Sequence, residues 1–188
     1  LGAHGGAGEL NMRLSAAVLK RGGLQENTAA TAQQRAVGTK DRKVAMAQFQ
    51  WLPTDKVSVQ YTWDRTRINE APEAPWVTNT NTIGFGPPLA AFRVSGENDR
   101  PTSIRIDHLQ KADTHVDGHA LNIRWQLSDD MTFESLTGYR KMWNWSEADS
   151  DGSTLNALWT RDIQQNKAVS QEFRLVGDAL AKRLQYST

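Results

Sequence analysis

Residues 119–127 read HALNIRWQL and are followed by SDD at 128–130. Leu121, Ile123 and Trp125 alternate with Asn122 and Arg124, which is the period-two pattern of a strand with one apolar and one polar face. Ser and Asp side chains bond nearby backbone groups and so favour a turn at 128–130, and residues 131–143 leave that turn as a second extended run. The sequence therefore predicts a long hairpin with a very short turn.

Both arms of this hairpin are longer than an ordinary strand. Each has roughly ten residues or more, whereas strands of globular proteins usually have about five or six. A strand that crosses a bilayer at a tilt needs about nine to eleven residues, with lipid-facing apolar side chains alternating with polar side chains that face the lumen. Length and alternation together favour a membrane barrel.

The same alternation recurs along the chain. It predicts strands at 9–20, 41–51, 56–68 and 166–177, and a further strand that begins at Leu184. The connections between them alternate between long segments and short turns, which fall respectively at 21–40, 69–116 and 144–165, and at 52–55, 128–130 and 177–182. Outer-membrane barrels have this asymmetry, because their periplasmic turns are short and their extracellular loops are long. We expect an all-β fold, an antiparallel meander of long hairpins with about six to seven strands, forming a segment of a transmembrane β-barrel.

Composition limits the classes to which the chain can belong. The 188 residues include 22 Lys and Arg against 21 Asp and Glu, so we expect no basic surface and no nucleic-acid partner. Cysteine is absent, which excludes disulfides, thiolate metal sites and cysteine nucleophiles. The lack of an apolar run of about twenty residues excludes a transmembrane helix, but barrel strands escape such averages. No signal peptide is visible at Leu1–Gly8, and we expect the chain to be an internal piece of a longer protein.

Several short motifs resemble recurrent strand motifs of TonB-dependent outer-membrane receptors. Two of them are Ser135-Leu-Thr-Gly-Tyr-Arg140, in the central hairpin, and Ser170-Gln-Glu-Phe-Arg-Leu175, which is the more specific. The others occur in the family's order and spacing and extend the resemblance over most of residues 9–68: Gly23-Leu-Gln-Glu-Asn27, Asp41-Arg42, Trp51-Leu-Pro-Thr-Asp55 and Trp63-Asp64.

The resemblance implies that residues 1–188 are part of a receptor β-barrel domain, without the plug domain and the remaining strands. Such receptors lie in the cell outer membrane and import a scarce nutrient, most often a ferric siderophore or a similar chelate, with energy from the TonB complex acting through the plug. The expected partners are outer-membrane lipid, the TonB complex and an extracellular small-molecule ligand. The expected lumen-facing ligand residues are Arg124, Arg140, Glu172 and Arg174. We expect no catalytic residue, no cofactor and no enzymatic activity.

Two other functions compete with this interpretation. His115, Asp117 and His119 stand at alternate positions, so in a strand they could present two imidazoles and a carboxylate to the metal of a hydrolase. Because His119 shares its face with Leu121, we favour an interfacial residue at the mouth of a strand over a metal ligand. The seven tryptophans could instead line a sugar-binding surface of a soluble β-sandwich carbohydrate-binding module. Trp63, Trp125 and Trp143 near predicted strand ends fit an aromatic girdle at least as well.

Two acidic patterns receive ordinary interpretations. Glu134 and Glu172 lie on predicted strands among lumen-side polar residues, so we interpret them as solvated charges and not as a catalytic carboxylate pair. The segment Asp149-Ser-Asp-Gly152 is similar to the start of a calcium loop, but the twelfth position holds Thr160 where the ligand Glu is required. We expect a polar turn there.

Overall fold

A computed structural model describes residues 2–7, 9–29, 32–76, 101–179 and 184–187. Within these ranges the regular elements are all strands. No helix in the described residues is long and apolar enough to cross a membrane.

The described strands are β1 (Gly2–Ala7), β2 (Leu10–Arg21), β3 (Gln25–Asn27), β4 (Ala36–Val37), β5 (Lys40–Thr54), β6 (Val57–Glu70), β7 (Ser103–Ile104), β8 (Lys111–Ser128), β9 (Met131–Asp149), β10 (Trp159–Ala179) and β11 (Leu184–Ser187). Eight of them form one sheet in the order β1-β2-β5-β6-β8-β9-β10-β11. All of its pairs are antiparallel and follow chain order, so the predicted all-β antiparallel meander is confirmed. The sheet is open, with β1 and β11 at its edges.

The register assigns every long strand two faces. Val59 lies opposite Ile123, and Trp63 lies opposite His119, so these four residues share what we call the apolar face. Trp125 also belongs to it. Gln60 lies opposite Asn122 on the other face, which we call the polar face, and Arg124 is on that face too. The register thus agrees with the predicted alternation of Ile123 and Trp125 with Asn122 and Arg124.

The apolar face is exposed. Most of the large apolar side chains that the structure exposes lie on it: Leu10, Met12, Leu14, Val18, Phe49, Trp51, Trp125, Trp159, Ile163, Val169 and Phe173. Val169 has a relative exposure of 70% and Phe173 of 63%. No second sheet covers this face in the described part of the chain, so a two-sheet sandwich core of the kind that a soluble module needs is not what these residues build.

The buried apolar core lies at one end of the sheet, beneath the long connections. Strands β4, β3 and β7 form a small three-stranded sheet there. Together with residues 71–76 and 101–110 they make what we call the loop cap. Its core consists of Val37, Ala71, Ala74, Ile104 and Ile106.

Two predicted connections are partly wrong, because the strands run further than the alternation indicated. β6 continues to Glu70 and β8 begins at Lys111, so only part of the predicted irregular segment 69–116 connects strands, and its residues 77–100 lie outside the described ones. β9 continues to Asp149 and β10 begins at Trp159, which shortens the predicted loop 144–165 to 150–158. His119 is consequently in the middle of β8 and not at a strand mouth. Trp143 is likewise inside β9 and Trp63 is in the middle of β6, so of the three tryptophans predicted near strand ends only Trp125 is near one.

The start of the chain and the first long connection also differ from the prediction. The Gly-rich segment forms β1, paired with β2, which gives the main sheet eight strands where six to seven were predicted. The connection 21–40, predicted as a long loop, contains β3 and β4, and its residues 30–31 lie outside the described ones. Of the predicted turn at 177–182, residues 180–182 are outside the description as well.

Candidate functional site

All four predicted ligand residues are on the polar face, but they occupy two separate places. Arg124 lies opposite Glu134, and Glu134 lies opposite Arg174, near the short-turn end of the sheet. Arg124 Nε is 3.8 Å from Glu134 Oε1, and Arg174 Nε is 2.6 Å from Glu172 Oε1. Arg124, Glu134, Arg174 and Glu172 alternate in charge on a solvated face. Ion pairs between them add little stability, so breaking one of these pairs to bind a ligand costs little free energy. The interpretation of Glu134 and Glu172 as solvated charges agrees with this geometry.

Arg140 stands apart from that group. It is six residues beyond Glu134 on β9, or about 20 Å along the strand. Its Nη2 donates to both carboxylate oxygens of Asp64, at 3.0 and 3.3 Å. Asp64 on β6 and Arg140 on β9 meet over Gly118 of β8, the strand that lies between them in the sheet. An open hollow of about 260 Å³ adjoins the pair, and its lining includes Ala120, Gly138, Ala168 and Ser170. Small side chains thus leave room beside a fixed guanidinium on the polar face.

Gly118 is the residue that permits this ion pair. A Cβ at position 118 would be 2.3 Å from Asp64 Oδ1 and 3.0 Å from Arg140 Nη2. We expect Gly118→Ala to displace the Asp64 carboxylate and to lower the free energy of unfolding by about 1–2 kcal/mol. Thermal unfolding measures the effect. Gly22→Ala is the matched control, because a Cβ there has no neighbour within 4 Å. In an Asp64→Ala background the Gly118→Ala substitution should be neutral; an equal loss in both backgrounds would contradict this role.

His115, Asp117 and His119 share the apolar face, as their spacing predicted, but each has a different partner. His115 Nε2 is 3.1 Å from Asp113 Oδ1, and Asp117 pairs with Arg65 and Arg67 at 3.3 and 3.1 Å. His119 Nδ1 is 2.7 Å from the Tyr61 hydroxyl. Within the described ranges no group of three or more His, Cys, Asp and Glu side chains is arranged to hold a metal ion.

A buried polar cluster connects the loop cap to the ends of β9 and β10. Glu147 is 4% exposed, and it accepts hydrogen bonds from Arg161 Nε at 3.1 Å and pairs with His108 Nε2 at 2.5 Å. The His108 ring also stacks on Trp159, with ring centroids 4.4 Å apart. Burial alone would raise the pKa of the Glu147 carboxyl, but the hydrogen bonds from Arg161 and His108 together lower it. A charged Glu147 therefore fixes the segment that contains His108 against the two strands.

A second ion pair fixes the cap at β5 and β6. The buried Glu70 carboxylate pairs with Arg42 at 2.5 Å and with Lys40 at 3.2 Å. The hydrogen bond from Arg42 lowers the pKa of Glu70 and, with that from Lys40, outweighs the opposing effect of burial. Residues 71–76 leave the sheet immediately after this anchor.

Asp149, at the end of β9, forms the expected polar turn but is buried. Its Oδ1 accepts the Gly152 N–H at 2.8 Å, and Gly152 has a left-handed φ of 66° that favours glycine. Gln110, also buried, donates to the Asp149 carbonyl at 3.2 Å. The pKa of the Asp149 carboxyl is raised to about 6, chiefly by burial and also by the neighbouring charges of Asp151 and Asp107, against the lowering effect of the hydrogen bonds from the Gly152 and His108 N–H groups.

The raised pKa predicts that the loop cap becomes more stable as the pH falls from about 6 toward the ordinary value of 3.8. In that window the folded cap binds a proton at Asp149 more readily than the unfolded chain does, so the cost of the buried charge disappears. Asp149→Asn keeps the turn geometry and should stabilise the cap above pH 6 by up to about 3 kcal/mol, since one pKa unit corresponds to about 1.4 kcal/mol. Hydrogen exchange of residues 149–153, in the wild type and in Asp149→Asn at pH 5 and pH 7.5, measures the stability of the cap. If the difference in cap stability between the wild type and Asp149→Asn is as large at pH 5 as at pH 7.5, the pKa of Asp149 is not raised.

Sequence reasoning did not identify the cluster of His108, Glu147, Asp149 and Arg161. Its members come from a segment predicted as loop and from strand ends beyond the predicted limits, so no shared period connected them. The motif at 23–27 marks a different part of the loop cap, where Gln25 and Asn27 are buried. Compared with protein-family models, with curated proteins and with solved structures, the chain has no match.

Proposed function

We propose that this chain is a transmembrane segment of an outer-membrane receptor that imports a scarce nutrient, with a ferric siderophore or a similar chelate as the ligand. The observation that carries the proposal is the uncovered apolar face. A large apolar sheet surface without a covering layer needs an apolar solvent, and a bilayer supplies one for a meander of antiparallel strands.

Strand length supports the same conclusion. The six central strands have between 12 and 21 residues, and about nine to eleven suffice to cross a bilayer. The excess lies at the end where the long connections build the loop cap. In an outer-membrane barrel that end is extracellular, so the cap would stand above the membrane where a ligand arrives. Further strands would pair with the edges at β1 and β11 to close the barrel.

The polar face would then line the lumen and contact the ligand. Arg140 makes both bonds to Asp64 with Nη2 alone, and 59% of its side chain is exposed, so its other donors point toward the lumen. Guanidinium donors in a fixed orientation suit the carboxylate, hydroxamate or catecholate oxygens of an anionic chelate. In this proposal a second ligand-binding position, nearer the periplasmic turns, is lined by Arg124, Glu172 and Arg174. The protein carries out no catalysis. The TonB complex drives release of the ligand through a plug domain.

The test expresses the complete gene product in a Gram-negative host that lacks its own siderophore receptors. We expect it in the outer-membrane fraction, with uptake of a radiolabelled ferric siderophore that requires the TonB complex. Arg140→Gln should lower uptake by about tenfold or more at an unchanged membrane level, as is usual for a residue central to binding. Recovery in the soluble fraction with affinity for a glycan column would favour the carbohydrate-binding module. Zinc retained in dialysis and lost in His115→Ala would favour the hydrolase.

A further inference from the structure

The apolar face changes character toward the loop cap. Five basic residues occupy two neighbouring rows of the register there, and we call them the cationic belt: Lys43, Arg65, Arg67, Lys141 and Lys167. The row just below them toward the short turns is apolar and aromatic, with Trp63, Tyr139 and Val169. The positive charges therefore begin directly above this apolar row, on the same face of the sheet, and the exposed Ile163 and Trp159 lie on that face still nearer the loop cap.

The belt has a surplus of positive charge. Asp117 is the carboxylate that these two rows contain in the described strands, and it pairs with Arg65 and Arg67. Lys43, Lys141 and Lys167 form no ion pair with any carboxylate in the described part of the chain. The surplus is therefore located on lysines at exposed positions.

Lys141 and Lys167 are one of two directly opposite pairs of like charge in the belt; in the other pair, Lys43 and Arg67, the arginine is bonded to Asp117. Lys141 on β9 and Lys167 on β10 have their side chains on the same face. Like charges at directly opposite positions destabilise a sheet, because their Cβ atoms are only about 5 Å apart. An anion placed between the two ammonium groups would convert this repulsion into attraction. Lys141 also lies opposite Asp117 on its other side, but that carboxylate is bonded to Arg65 and Arg67, so the repulsion between the two lysines is left for another anion to offset.

Aromatic rings flank the pair along the strands. Tyr139 is two residues below Lys141 and Trp143 is two residues above it, and Lys167 Nζ is 5.8 Å from the centre of the Tyr139 ring. Rings with an apolar body and a polar edge favour the interface between hydrocarbon and water. The lysine stems can extend along this interface and leave their charges at headgroup level.

We propose that Lys141 and Lys167 together bind a phosphate group of an anionic lipid headgroup in the outer leaflet, with Lys43 adding to the attraction. This inference rests on the proposed function, because it requires the apolar face to be embedded. The belt lies on the side of the loop cap, which would be extracellular, and the outer leaflet of an outer membrane is composed largely of a phosphorylated glycolipid. The lipid would thereby fix the depth and tilt of β9 and β10 beneath the cap.

The test titrates the purified complete gene product with lipid A that carries both phosphates, and with the same lipid after dephosphorylation, using native mass spectrometry. The variant Lys141→Gln/Lys167→Gln should bind the phosphorylated lipid about 30-fold more weakly, since each lysine near an anionic surface contributes a factor of about five. Lys141→Arg/Lys167→Arg should retain binding. Arg13→Gln/Lys56→Gln, which removes two positive charges on the polar face and in a turn, is the matched control and should bind like the wild type.

Two outcomes would overturn the inference. One is an equal dissociation constant for phosphorylated lipid in the wild type and in the glutamine variant; the other is an equal loss in that variant with the dephosphorylated lipid. Extraction of membranes with urea distinguishes a failure of the lipid-site proposal from a failure of the proposed function. A protein that stays embedded but shows no dependence on the two lysines removes only the lipid site, whereas a protein that is extracted removes both proposals.

Discussion

Ile123→Arg is expected to prevent most of the protein from assembling in the outer membrane. Ile123 lies in the middle of the apolar face, in the register row of Trp51, Val59 and Phe173. An arginine on the lipid-facing side near the bilayer midplane costs about 2–4 kcal/mol. The fraction of heat-modifiable protein in the outer-membrane fraction measures assembly, because folded barrels migrate differently from unfolded chains in a gel.

Arg124→Ala is the matched control for this substitution. It changes the next residue of the same strand, on the polar face, and removes only an ion pair of 3.8 Å to Glu134 that is worth about 1 kcal/mol or less. Since no protein layer covers Ile123 in the described residues, an arginine there would be almost neutral if water were the solvent of this face. Normal assembly of Ile123→Arg would therefore contradict the membrane proposal directly.

The strands and their faces could be predicted where the alternation was strong. At Leu121–Trp125 and Val57–Trp63 the apolar residues are two apart, and the observed register places them together. The side-chain contacts between neighbouring strands could not be predicted, because they depend on the register in which the strands pair. The bond between Tyr61 and His119 is one example: Tyr61→Leu would remove it, although alternation alone predicts that this substitution is silent.

The strand extensions escaped prediction for a different reason. In residues 111–118 the apolar face has Lys111, Asp113, His115 and Asp117, while the polar face has Ala112 and Val116. In this part of β8 the hydrophobic pattern is thus reversed although the backbone ladder continues, whereas Trp145 and Ile163 keep apolar side chains on the apolar face in the extensions of β9 and β10. Ion pairs such as Arg67 with Asp117 stabilise this part, and they involve residues 50 positions apart in the sequence. A pattern based on hydrophobicity detects only the part of a strand in which apolar and polar residues alternate.

The loop cap depends on contacts that are more distant still. Asn27, which is completely buried, donates from Nδ2 to the Ile106 carbonyl at 2.9 Å and accepts the Ile106 N–H at 3.2 Å through Oδ1. It also accepts the Ala29 N–H at 3.2 Å. The two segments that it joins are separated by 79 residues. One side chain therefore satisfies the backbone of Ile106, itself fully buried, and holds β3 against the segment that follows β7.

Asn27→Ala is accordingly expected to open the loop cap while the sheet remains assembled. The substitution leaves a buried N–H and a buried C=O of Ile106 without partners, and each such group costs about 1–3 kcal/mol, so we expect a loss of about 3 kcal/mol in the stability of the cap. Hydrogen exchange of residues 24–28 and 102–106 should become at least tenfold faster, and trypsin should cleave after Arg35 and Arg105.

Gln33→Ala is the control for Asn27→Ala, because it removes a bond between the same two segments at an exposed position. Gln33 Nε2 donates to the Asp107 carbonyl at 3.3 Å, and water can replace it there. We expect exchange in the cap to change less than about threefold in this variant. Strands β8 to β10 have their own ladders and share no side-chain bond with Asn27, so their protection should be the same in both variants. Equal loss of protection in cap and sheet after Asn27→Ala would mean that the cap is not a separate unit, and ligand capture above the membrane would then require the whole sheet to be intact.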